Sequence, residues 1–109
     1  MKKIAIFLSK NYKLLSVAAI LDVFETVNKY YRTTQKEEPF YINILAEEDF
    51  VQTHKEAFGY QLQAISTADG MDLVLIPAFT TDDMQQTLFE NASCIPSLVK
   101  QNQMGAGLA

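Results

Sequence analysis

Met71-Asp72-Leu73-Val74-Leu75-Ile76-Pro77-Ala78-Phe79 is a run of buried-strand residues closed by a proline. A continuous apolar strand after Ala68-Asp69-Gly70 reads as a central parallel strand over 72–77, covered on both faces. In such sheets, ligands and catalytic groups gather at the carboxyl ends of the strands. Any chemistry is therefore expected around Ala78, Phe79 and Thr80.

Working outward, strands and helices alternate. Lys3–Ser9 reads as a strand, followed by a turn at Lys10-Asn11-Tyr12-Lys13. Leu14 to about Arg32 reads as a helix, with Leu14, Val17, Leu21, Phe24, Val27 and Tyr31 recurring every three or four residues. Pro39 leads into a strand at 40–46, Glu47-Glu48-Asp49 reads as a solvated turn, and 51–62 reads as short extended pieces broken at Gly59. Thr80-Thr81-Asp82-Asp83 offers an N-cap and acidic residues for a helix reaching about Glu90. A second short helix is expected from Ser93 or Ile95 to Gln103, with Pro96 tolerated in its first turn. Gly105–Ala109 reads as a turn and the opening of another buried strand. The order predicts an open, mostly parallel α/β sheet of the flavodoxin-like kind, flanked by helices, with 1–109 as one small domain or the N-terminal portion of a larger one.

Composition narrows the function. Hydrophobic residues make up 49% of the 109, enough for a packed core. Nine Lys and Arg against 13 Asp and Glu give a net charge of −4, which argues against this segment holding nucleic acid. No apolar run approaches the ~20 residues of a membrane span, and Met1-Lys2-Lys3 leads straight into a strand rather than a signal peptide. The single cysteine, Cys94, cannot form an intrachain disulfide and fits a cytoplasmic protein.

Few residues carry a chemical signal of their own. Cys94 has no neighbouring cation in sequence, so it reads as structural rather than nucleophilic. His54 lacks spaced Cys or His partners and reads as a surface-loop residue; no metal or cofactor is expected. The pairs Glu37-Glu38 and Glu47-Glu48 read as solvated turns, and Asp82-Asp83 as serving a helix start. Asp22 reads as a structural hydrogen-bonder, and Tyr30 and Tyr31 as core. Tyr12, in the turn after the first strand, is the more open candidate for a ligand pocket.

Leu14-Leu15-Ser16-Val17-Ala18-Ala19-Ile20-Leu21-Asp22-Val23-Phe24-Glu25-Thr26-Val27-Asn28 resembles the LLDxAGPLDVFxxAN segment of the ThiJ/PfpI superfamily, also described as class I glutamine amidotransferase-like. It is most similar to the branch fused to AraC-type helix-turn-helix domains in transcriptional regulators. Asp72–Pro77 is similar to that branch's DxLxVPGG strand, and Phe58-Gly59-Tyr60-Gln61-Leu62 sits where the branch has its sGxxl piece. What the branch places next, a strand ending in a cysteine elbow, would follow directly after Ala109.

The resemblance also implies what has been lost. In enzymes of the superfamily an acidic side chain early in the first helix hydrogen-bonds the elbow cysteine; the matching position is Ser16. The two glycines of the GG turn are matched by Ala78 and Phe79, and the AGP of the first helix by Ala18-Ala19-Ile20. These departures imply a non-catalytic chain whose ligand-binding residues are Tyr12, Ser16, Ala78, Phe79 and Thr80. The expectation is the front part of a ligand-sensing or dimerising domain of an AraC-family regulator, cytoplasmic and homo-oligomeric. It would take an unidentified small-molecule effector and contact DNA only through a domain outside this chain. Alternatives are a cysteine-dependent amidase, hydratase or protease-like enzyme of the same superfamily, and a free-standing interaction protein. Because the sheet is expected to stop short of its elbow strand, the isolated polypeptide is not expected to be a stable monomer.

Overall fold

The computed structural model describes residues 1–79 and 83–109. Among them the chain forms β1 (Lys2–Leu8), α1 (Leu14–Thr33), β2 (Phe40–Ala46), α2 (Glu48–His54), β3 (Glu56–Ala57), β4 (Tyr60–Ala64) and β5 (Leu73–Leu75). α3 (Met84–Asn91), a 3-10 turn (Ala92–Cys94), α4 (Ile95–Gln103) and β6 (Gly107–Leu108) follow. The strands make one sheet in the order β3-β4-β2-β1-β5-β6. Only the β3–β4 pair is antiparallel. This is the expected open, mostly parallel α/β sheet flanked by helices.

β1 is the axis of the core because it is covered on both faces. Alternation sends Ala5 and Phe7 to one side, where they meet Leu45, Val74, Cys94 and Ala106. Ile6 and Leu8 go to the other side, against Val17 and Leu21 of α1 and Ile44 of β2. Ala5, Ile6 and Phe7 are fully buried. A strand buried on both faces needs apolar residues at consecutive positions, which is what Ile4–Leu8 supplies.

The long helix is closed at its far end by side chains. Thr34 donates its hydroxyl to the carbonyls of Tyr30 and Tyr31, and Thr33 donates to Tyr30, so these two acceptors of the last turn gain side-chain partners. Asn28, buried on α1, donates to the Phe40 carbonyl at 2.9 Å and accepts from the Phe40 N–H at 3.1 Å. That reciprocal pair fixes the start of β2 against the helix.

Several expectations are corrected. The strand expected at 72–77 is interior but shorter and off centre. β5 covers Leu73–Leu75, with Asp72 and Ile76 adding backbone bonds at its ends. It lies between β1 and the edge strand β6, while β1 takes the middle. Pro77 has no N–H to extend the ladder, which shortens β5. The stretch 47–54 is neither turn nor extended. Glu48 and Asp49 occupy the first turn of α2, where carboxylates suit the positive helix end, and Phe50 and Val51 pack against the α1-side core. Lys55, at φ 62°, ends that helix, and Phe58 (φ 56°) with Gly59 (φ 84°) makes the tight β3–β4 turn. The helix after the acidic run starts later than expected. Asp83 is its N-cap, accepting from the Gln86 N–H, while Thr80, Thr81 and Asp82 lie outside the described residues. Leu14 and Tyr30 are 61% and 65% exposed, so neither is core. Asp22 is exposed and its carboxylate makes no hydrogen bond among the described residues, because its position on α1, beside the buried Leu21, faces away from the sheet.

The chain order decides where a crevice opens. From β1 the connections lead outward to β2 and then β4; the next jumps back across β1 to β5 and then continues to β6. The order reverses between β1 and β5. Outside the carboxyl ends of those strands the flanking connections diverge, which is where open α/β sheets hold ligands.

Candidate functional site

Four of the five expected site residues meet at this reversal point. Tyr12 and Phe79 form an isolated antiparallel bridge between the β1–α1 turn and the segment after β5. The Lys13 N–H donates to the Ala78 carbonyl at 2.7 Å. The Ala78 N–H donates to the Ser16 hydroxyl oxygen at 3.1 Å. Thr80 lies outside the described residues. The backbone of Ala78 is thus held at both its N–H and its carbonyl by the start of α1, and the two turns are stitched together. At the position where the resemblance implies an acid, Ser16 ties backbone to backbone. Ser16→Ala is expected to lower the unfolding free energy by about 0.5–1.5 kcal/mol, read from the midpoint of a urea titration.

Asn91, the last residue of α3, completes the arrangement. It accepts from the Lys10 N–H at 2.7 Å and donates to the Lys10 carbonyl at 3.1 Å and the Thr87 carbonyl at 2.9 Å. Asn11, at φ 64°, allows the turn its left-handed residue at small cost. Asn91 therefore holds the β1–α1 turn at Lys10, while Ser16 ties the start of α1 to Ala78. An asparagine at a helix end carries no sequence signal for that role.

Two cavities flank the Tyr12–Phe79 bridge. One of about 450 Å³ lies on the β2 side, lined by Tyr12, Asn11, Glu47, Phe50, His54 and Glu90. His54 is in the last turn of α2, not a loop; it is exposed and stacks on Phe50 with ring centroids 4.1 Å apart. The other, about 140 Å³, lies between the ends of β1 and β5 and the α3–α4 corner. Phe7, Ser9 and Cys94 are its buried residues, with Phe79 and Leu98 partly covered beside them. Ser9 lines both cavities.

Cys94 is 5% exposed, and its thiol donates to the Asn91 carbonyl. Burial pushes its pKa up, and the Glu47 carboxylate adds to the effect. A thiol in that setting is a poor nucleophile. No group of three His, Cys, Asp or Glu side chains placed to hold a metal occurs among the described residues. No helix among them is long and apolar enough to cross a membrane.

A larger cavity of about 500 Å³ lies at the opposite end of the sheet, between α1, the start of β2 and the β3–β4 turn. There the Tyr60 hydroxyl donates to Glu25 at 3.0 Å. Burial, that hydrogen bond and the charges of Glu25 and Glu38 push the Tyr60 pKa up to about 12. The folded chain therefore keeps a proton that the unfolded chain releases near pH ~10. Tyr60's contribution to stability is full below about pH 10 and is lost as the pH climbs toward 12. In a tyrosinate absorbance titration, one of the five tyrosines is expected to ionise last, and Glu25→Gln to bring it back toward the others.

No family model matches the chain, and no curated protein matches it. Among solved structures, the fold is similar to that of a candidate transcriptional regulator from Vibrio parahaemolyticus, with a TM-score of 0.65 and 8% sequence identity. The likeness covers 98% of this chain and 54% of that one, so the chain spans about half the length of that protein. At 8% identity it shows the shared fold alone.

Proposed function

We propose that residues 1–109 form the front part of a ligand-sensing and dimerising domain in an AraC-family transcriptional regulator of the ThiJ/PfpI type, without catalytic activity of its own. The observation that carries this reading is the bond from the Ala78 N–H to the Ser16 hydroxyl. In an enzyme of this type, a carboxylate would stand at that helix position and the turn's N–H groups would be free for a developing oxyanion. Here the hydroxyl supplies no acid, and the Ala78 N–H is already engaged. The description of the Vibrio protein supports the regulator class. An acidic segment suits a sensing role, with DNA contact made by another domain in the cytoplasm.

The test is a mobility-shift experiment at physiological salt, paired with a turnover screen. Residues 1–109 are expected to leave a labelled duplex unshifted, because only nine Lys and Arg are spread along the chain. The product of the full reading frame is expected to shift its own promoter. An amidase or hydratase turnover that vanishes in Cys94→Ser would replace this reading with the enzymatic one.

A further inference from the structure

Ser9 directly follows β1 at the point where the strand order reverses, and it is 6% exposed. Its hydroxyl oxygen is buried with no hydrogen-bond partner. Buried hydroxyls are almost always paired, so an orphan beside a cavity marks a position kept for something else. The 140 Å³ cavity that Ser9 lines is otherwise apolar, with Phe7, Ile76, Phe79 and Leu98 among its walls. The other polar groups there are engaged. The Cys94 thiol donates to the Asn91 carbonyl, and the Asn91 amide is committed to Lys10 and Thr87. Among the described residues, no charged side chain lines the cavity.

We infer that this cavity binds a small uncharged molecule with a ring-sized apolar body and a single hydroxyl or carbonyl, which pairs with the Ser9 hydroxyl. Size sets the body: a cavity of about 150 Å³ lined by Leu, Ile and Phe takes one benzene ring. The described walls carry no charge, which disfavours an ion, since none of them would replace its lost hydration. Among the described wall residues the Ser9 hydroxyl is the one left unpaired, which sets the number of polar groups at one. The position agrees with the crevice outside the carboxyl ends of strands at a topological reversal. The inference deepens the sensing role proposed above and rests on it for its biological meaning.

Benzyl alcohol and toluene are the probes, because they share a ring and differ by the hydroxyl. Cys94 is the single cysteine and lines the cavity, so slowing of its alkylation reports occupancy at a defined place. In a wholly apolar cavity the alcohol would bind more weakly than toluene, because its hydroxyl would leave water for nothing. With Ser9 present, the alcohol is expected to protect Cys94 at least as well as toluene. Ser9→Ala is expected to weaken the alcohol about fivefold to tenfold and to leave toluene unchanged. The variant should fold, since it removes a buried hydroxyl that has no partner. Tighter binding of toluene with no effect of Ser9→Ala on the alcohol overturns the inference, and so does protection by neither probe. The measurement uses no DNA. A chain that takes the alcohol but whose full-length product never binds a promoter would therefore sink the regulator reading and leave this site standing.

Discussion

Replacing Phe7 with alanine is expected to lower the unfolding free energy by about 3–5 kcal/mol, the largest effect of any single change here. Phe7 is fully buried in the layer beneath the α3–α4 corner, in one cluster with Leu45, Ile65, Val74 and Cys94. Removing the ring forfeits its transfer free energy and leaves a void that a sheet held on both sides cannot collapse. Domains of this size have only about 5–15 kcal/mol to lose, so roughly a fifth or more of the stability is at stake. The urea midpoint should fall with the slope unchanged. An effect under about 1 kcal/mol would mean that Phe7 is not packed as described.

The 109-residue chain is also expected to self-associate, sedimenting with a concentration-dependent mass above 12.3 kDa. Its radius of gyration is 14.3 Å, against about 13 Å for a compact domain of this length. Phe89 on α3 is 77% exposed, and Leu15 on α1 is 71% exposed. β6, only two residues long, pairs on one side with β5 and closes that edge of the sheet with Leu108 40% exposed. Open edges beside exposed large apolar residues recruit other chains. Phe89 lines none of the cavities, so Phe89→Lys should weaken association at least about tenfold without touching the Ser9 cavity. A monodisperse monomer with a concentration-independent unfolding transition would refute this expectation.

Parts of the fold were legible because they repeat. The strand at 40–46 follows from a mostly apolar run led in by Pro39 and the helix from Leu14 from apolar residues spaced three and four apart, and the structure places both within one residue of those bounds. The α2 segment was not legible. With two adjacent apolar residues, Phe50 and Val51, in seven, it has too short a pattern to separate helix from strand. Tyr30 failed for a related reason: its neighbour Tyr31 faces inward, and adjacent helical positions point to different sides.

What the sequence alone determined about this protein is the alternation of strand and helix, and with it a parallel sheet whose carboxyl ends hold the candidate site. Tyr12, Ser16, Ala78 and Phe79 were picked out by that logic and by the family resemblance, and the chain brings them into one junction. Only the tertiary structure decided what each does there. Ser16 reaches Ala78 across 62 positions, and Asn91 reaches Lys10 across 81. Hydrophobic periodicity records which face of an element is buried. It leaves no trace of a polar bond between distant segments, nor of a hydroxyl, such as that of Ser9, left without one.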